Sequence, residues 1–118
     1  MENLADPIVQ YIAVRSDLKW PKGALIAQGS HASVAAIHLN YDDPDTKAYL
    51  QSVDSMHKIV VAIPSLTEIK ELDETLLTNN IKFKLWTEQP ENIPTCLATK
   101  PYSKKAVEHF FKSYKLFK

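Results

Sequence analysis

Apolar and polar positions along this chain repeat with two different periods, and the switches between them mark out its elements. Residues 9–15 (VQYIAVR) are rich in β-branched and aromatic side chains and predict a strand. A turn is expected over Ser16–Pro21, where Trp20–Pro21 biases residue 20 away from helix. From Lys22 to about Asn40 the pattern is helical, with Ala24, Ala27, Ala32, Ser33, Ala35 and Ala36 allowing close packing. Asp43–Pro44 places an N-cap before a proline at the first helical position, opening a second helix to about Val53.

Residues 58–63 (KIVVAI) form a continuous apolar run, which predicts a strand covered on both faces. Ser65 and Glu68 make a capping box ahead of Ile69, Leu72, Leu76 and Leu77, which recur at helical spacing. Asn79–Asn80 supply a left-handed stop. Residues 81–87 alternate as a strand, Glu88–Pro94 form a proline-containing loop, and Thr95–Thr99 form a further strand. Ser103 is expected to cap a last helix with Val107, Phe110, Phe111 and Tyr114 on one face and a Glu108–Lys112 pair on the other.

The order β-α-α-β-α-β-β-α predicts an α/β fold, a three-layer sandwich around a small four-stranded mixed sheet. The β-β step across Glu88–Pro94 supplies the antiparallel pair. A length of 118 residues fits a single domain over residues 1–118 and can bury a core without disulfides or structural metal. One cysteine forbids an internal disulfide and favours a reducing compartment. No apolar run reaches the roughly 18 residues of a membrane span, so no membrane partner is expected. The opening MENLADP is acidic and mildly polar, unlike a secretory or mitochondrial leader.

Charge changes this picture. The chain has 14 basic and 14 acidic side chains, a balance that on its face speaks against nucleic acid. Residues 100–118, however, hold six lysines against one acid, a local charge of +5, so residues 1–99 carry −5. That asymmetry fits either a basic binding face or a solvated terminal helix.

Candidate chemistry clusters after the first strand, where ligands of open α/β sheets usually bind. In Arg15-Ser-Asp-Leu-Lys19-Trp-Pro-Lys22-Gly23 two lysines stand where a helix begins, against the usual preference for acids. With exposed backbone N–H groups they could hold phosphate; the glycines of a P-loop are missing. Gln28 and His31, at i and i+3, face the same way, and an imidazole held by an amide can act as a base or position a water. Trp20 could stack on a base. Trp86 shares a strand face with Lys82, Lys84 and Glu88, and Glu88 enters the loop where an acid could orient a base or a lysine. Cys96 lies in a strand as a small buried thiol. Core packing and simple solvation are the competing readings for the tryptophans, the histidines and the lysines.

VQYIAVRSDLKWPKGALIAQGSHASVAA resembles the opening of the type II peptidyl-tRNA hydrolase family. Members run through a strand, an R-x-D-L-K turn, a K-G step and an A-Q-x-x-H-A helix. The resemblance covers nearly the whole chain, including KIVVAI, the T-x-L strand and the closing KLF. WPKGALIAQ together with LWTEQPENIPTCLATKPY and KLFK is similar to the peptidyl-tRNA hydrolase domain-containing protein 1 subgroup of that family.

The resemblance implies a cytoplasmic esterase of translation, cleaving the ester between a peptide and the terminal ribose of tRNA. Peptidyl-tRNA is then the partner, with no metal and no organic cofactor. Lys22, His31, Glu88 and Thr95 become candidate catalytic residues, and Lys19, Trp20, Gln28, Lys104 and Lys105 candidate substrate contacts. A lysine can stabilise the oxyanion, His31 or Glu88 can orient water, and Thr95 can hydrogen-bond the ester or ribose. Dimers are common in the family, and the closing KLFK could help form a homodimer. The chain also departs from the family pattern. A third lysine is absent after Lys22, Pro21 replaces a glycine, and Glu88–Pro94 replaces a loop rich in glycine and hydroxyl groups. An inactive tRNA- or RNA-binding protein on the same fold is the alternative.

Overall fold

Strand β1 (Ile8–Arg15) lies inside the sheet, and its alternating side chains divide the molecule into two cores. The structure is a computed structural model describing residues 6–118; the first five residues of the MENLADP stretch lie outside the described residues. Val9, Tyr11 and Ala13 point into one core, where helix α3 (Leu66–Thr78) contributes Ile69, Leu72 and Leu76. Ile12 and Val14 point to the other, beneath Ala32 and Ala36 of helix α1 (Lys22–Leu39). Helices thus cover both faces, giving the three layers expected.

The main sheet has the order β2 (Lys58–Ile63), β1, β4 (Ile93–Thr99), β3 (Phe83–Glu88). β1 and β2 pair in parallel, whereas β4 runs antiparallel to both β1 and β3. The carboxyl ends of β1, β2 and β3 therefore share one edge of the sheet with the start of β4. A fifth, two-residue strand, β5 (Tyr102–Ser103), adds to the four expected by pairing with the beginning of β1.

Local signals set the helix starts. Asp43 caps α2 (Pro44–Gln51) by accepting from the Asp45 and Thr46 N–H groups, and Ser65 Oγ caps α3 by accepting from Glu68 N at 3.1 Å. Asn80 takes the left-handed stop at φ 58°.

The C-terminal stretch departs from expectation. The last helix, α4, spans only Lys104–Val107, followed by a 3-10 turn at Glu108–Phe110. Ser103 Oγ donates to Asp6 Oδ2 at 2.6 Å instead of capping α4. No Glu108–Lys112 ion pair forms among the described residues. The reason is tertiary. Tyr11 and Phe111 stack with centroids 4.4 Å apart, drawing the chain under the sheet. It then runs along the free edge of β2, where Ala62 N donates to Lys115 O at 2.8 Å and Phe117 N to Val60 O at 3.0 Å. The KLFK segment read as a candidate dimer element thus pairs within its own chain.

KIVVAI is also covered differently from expectation. Helix α1 packs over β1, β4 and β3 and leaves β2 open on that side, so Val60 keeps 37% of its surface exposed. Lys100 is a further correction to the basic tail. It is buried, with Asp43 at 3.0 Å and Asp45 at 3.4 Å as counter-ions.

A Cβ at Gly29, inside α1, would sit 3.7 Å from Ile12 Cγ2 and Val14 Cγ2, an ordinary contact. Gly29→Ala is therefore expected to stabilise the fold by about 0.4–1 kcal/mol, through the lower entropy of the unfolded chain. A urea titration that places its midpoint below wild type would show that α1 and β1 need the glycine.

Candidate active site

Pro21 has no N–H and no capping side chain, so α1 opens with a bare first turn at Lys22. The turn before it is anchored by Arg15. The guanidinium grips Asp17 through Nε (3.0 Å) and Nη2 (2.7 Å) and donates from Nη1 to Pro94 O at 3.1 Å. Its hydrogen bonds hold the Asp17 carboxyl below the usual carboxylate range. The clamp ties the Lys19–Lys22 turn to the residue before Thr95. Sequence reading gave Arg15 and Asp17 no role, although their i, i+2 spacing suits a local fork of this kind.

On the β3 flank of α1, six side chains meet. Glu88, the last residue of β3, accepts from Trp86 Nε1 through Oε1 (3.0 Å) and from Gln28 Nε2 through Oε2 (3.1 Å). Gln28 Oε1 in turn accepts from Thr95 Oγ1 at 2.8 Å. His31 stacks on Trp86 with centroids 4.6 Å apart and planes 19° apart. Cys96 Sγ donates to the Gln28 carbonyl at 3.0 Å.

A break in register makes the cluster possible. Trp86 pairs with Cys96 but Thr87 pairs with Pro94, so Thr95 is an extra residue in β4. Such a bulge re-aims a side chain, here placing Thr95 on the α1 side beside its neighbour Cys96. Strict alternation would have sent it to the opposite core.

Hydrogen bonds from Trp86 and then Gln28 hold the Glu88 carboxyl below the ordinary glutamate range. Burial pushes the Cys96 thiol up to about 12, which leaves it unfit as a nucleophile near neutrality. Gln28 and Thr95 are buried at 2% and 0% exposure, whereas Glu88 is partly accessible and His31 exposed. Solvent therefore meets the cluster at Glu88 and His31.

The other sequence candidates are divided between places. Lys19 is exposed and Trp20 half-buried in the turn after β1, and Lys22 faces the β2 flank of α1, away from Gln28. Lys104 and Lys105 sit at the opposite end of β1, where the Lys104 and Lys105 N–H groups bond Pro7 O and Asp6 Oδ1. They are not brought together with the Lys19–Lys22 turn. Lys118 lines the same concavity as Lys22, but the antiparallel run of the last residues along β2 sets it toward Lys58, at the other end. No group of three or more His, Cys, Asp or Glu side chains able to hold a metal occurs among the described residues, and no helix is long and apolar enough to cross a membrane.

The family profile for peptidyl-tRNA hydrolase PTH2 matches residues 8–117. This chain belongs to the PTH2 family. Human PTRHD1, provisionally named a peptidyl-tRNA hydrolase, is 49% identical over 116 residues, covering 94% of this chain and 83% of its own length. PTRHD1 of Mus musculus is 48% identical over the same span. A peptidyl-tRNA hydrolase of Methanothermobacter thermautotrophicus is 30% identical over 112 residues, 91% of this chain and 97% of its own. The subgroup resemblance drawn from WPKGALIAQ and the 85–102 stretch thus agrees with its relatives within PTH2.

Two outcomes test the cluster. Thr95→Val strands the buried Gln28 Oε1, and a loss of about 1–3 kcal/mol in urea melts is expected. Glu88→Ala is expected to destabilise at neutral pH, with the difference from wild type shrinking in acid. The sign follows from a depressed folded-state carboxyl. Its stabilisation is present above the ordinary glutamate value of 4.5 and fades as pH falls through the lowered one. A gap that widened toward acid would contradict an ionised Glu88.

Proposed function

We propose that this protein is a one-domain hydrolase of peptidyl-tRNA or of N-blocked aminoacyl-tRNA, acting in the cytoplasm to return tRNA to translation. The observation that carries the reading is the chain Thr95–Gln28–Glu88, assembled from α1, β3 and β4 at the edge where the parallel strands end. The family's Q-x-x-H helix and threonine strand supply its members.

In this reading water attacks the ester carbonyl while His31 takes its proton. An imidazole suits that step better near neutrality than a carboxylate held ionised by two donors. Glu88 orients the water and stabilises the imidazolium. Lys19, exposed in the turn after β1, meets the tRNA phosphate, and Lys22, on the other flank of α1 from His31, adds a phosphate contact at the helix start rather than an oxyanion contact. Collapse expels the ribose oxygen, which takes the proton, leaving a peptide carboxylate and free tRNA. Thr95 donates inward and is shielded from solvent, so its part is to fix Gln28 rather than to touch the ester. Trp20 offers its ring to the terminal base. Lys104 and Lys105, at the far end of β1, can meet only a distant part of the tRNA.

A second reading, tRNA binding without hydrolysis, is favoured by one observation: two of the four candidate polar groups, Gln28 and Thr95, are closed off from solvent. Release of N-acetyl-aminoacyl groups from tRNA by the pure protein separates the two. The expected loss is about 100-fold or more for His31→Ala, whereas Lys22→Ala lowers the rate only at sub-saturating tRNA, through a lost phosphate contact. Unchanged rates in both variants would remove the assigned roles. An inactive wild type that still binds tRNA with a steep salt dependence would leave the second reading.

A further inference from the structure

Helix α1 has a second flank, turned toward the uncovered strand β2, and a trough of about 470 Å³ lies there. That size falls among small-molecule sites, which run from roughly 300 to 1,000 Å³. Ile12, Val14 and Val60 form its apolar floor, and Phe117, hydrogen-bonded to Val60, makes the outer wall. Along α1 it reaches from Lys22 to Ser33, a rise of roughly 16 Å. Lys22 marks the carboxyl edge of the sheet and Lys58 the amino edge.

The charged side chains that line this trough are all lysines: Lys22, Lys58 and Lys118. Among the described residues the two buried cations have fixed carboxylates, Asp17 for Arg15 and Asp43 with Asp45 for Lys100. Lys58, exposed at the rim of the trough, has only neutral partners. Its ammonium donates to Gln10 Oε1 at 2.6 Å, Ser33 Oγ at 3.2 Å and Tyr49 OH at 3.4 Å, all neutral. No carboxylate lies within ion-pair distance of it among the described residues. Desolvation by the surrounding side chains pulls this ammonium below the ordinary lysine range. The Ser33 and Tyr49 hydroxyl hydrogens are already committed, to Gln10 Oε1 and His57 O. The two long bonds from Lys58 can therefore be exchanged for one short, charge-assisted bond to an anion. The aliphatic floor running on from Lys58 suits a carboxylate that carries an apolar chain rather than a free phosphate.

We propose that the trough binds a small carboxylate amphiphile, its apolar chain over Ile12, Val14 and Val60 and its carboxylate on Lys58. The ligand supplies the counter-charge that the chain itself withholds, and the open face of β2 is its seat.

The test is an NMR titration of the full chain with sodium decanoate, kept below its micelle-forming concentration, beside 1-decanol. Saturable one-to-one shifts of the Ile12, Val14 and Val60 methyl groups are expected. Lys58→Met should weaken decanoate about tenfold while leaving decanol unchanged, Lys58→Arg should keep decanoate binding, and Val60→Trp should abolish both. Val60→Trp guards against a folding defect at Lys58, since it leaves the Gln10 network intact. Absent methyl shifts, or equal losses of decanoate and decanol in Lys58→Met, would overturn the proposal. So would light scattering that finds a dimer whose interface covers these methyl groups and excludes decanoate.

Discussion

An ionised carboxylate can only accept hydrogen bonds, and the direction of each side-chain contact from Glu88 through Gln28 to Thr95 follows from that constraint. With Glu88 demanding a donor, Gln28 must turn its NH2 group outward and its carbonyl oxygen inward. Thr95, facing that oxygen, must then donate. Three side chains from three elements are left with one self-consistent arrangement, and a buried chain with every member satisfied resists alternatives. Trp86 extends the same polarity by giving its N–H to Glu88 and its ring face to His31. Because the accepting end is the accessible one, the network presents negative charge and an imidazole to solvent and keeps its neutral members inside.

Topology decides where that end lies. Parallel pairing of β1 with β2, and β4 antiparallel to its neighbours, bring the turn after β1, the tip of β3 and the start of β4 to one edge. The Arg15 fork then fixes the turn to β4 just before the bulge. Helix α1 begins at this edge and divides the surface, with Gln28 and His31 on one flank and Lys22 and Ser33 on the other. A single helix thus serves two surfaces of opposite character, one polar and carboxylate-bearing, the other an apolar trough rimmed by lysines.

The strands, α1 and α3 were legible because their signals are local: β-branched runs, a capping box and the Asp43–Pro44 start. The role of Glu88 beside Trp86 was partly legible too, since strand alternation puts the two on one face. The terminal helix was misread because its apolar spacing records burial, not helicity; Val107 and Phe111 do enter the core, but through the Tyr11 stack and a return along β2. KIVVAI was misread on one face for the converse reason, as continuous hydrophobicity cannot say which helix covers which strand. The inward turn of Thr95 depends on one inserted residue in a pairing register, which no periodicity reports. Charge was legible as a sum and as an asymmetry, yet not as a place: Lys100 is consumed by Asp43 and Asp45, Lys104 and Lys105 go to one end of the sheet, and Lys118 goes to the trough.

The return of Lys115–Phe117 along β2 has a consequence for self-association. An edge strand with unpaired N–H and C=O groups is a template for adding strands from other molecules, and KIVVAI, apolar and β-branched, would be a hazardous one. Here the chain's own backbone occupies part of that template, at Val60 and Ala62. Joining two copies through β2 would first require peeling this segment away and uncovering Phe117. The same few residues that wall the trough therefore act as a guard against strand-by-strand aggregation.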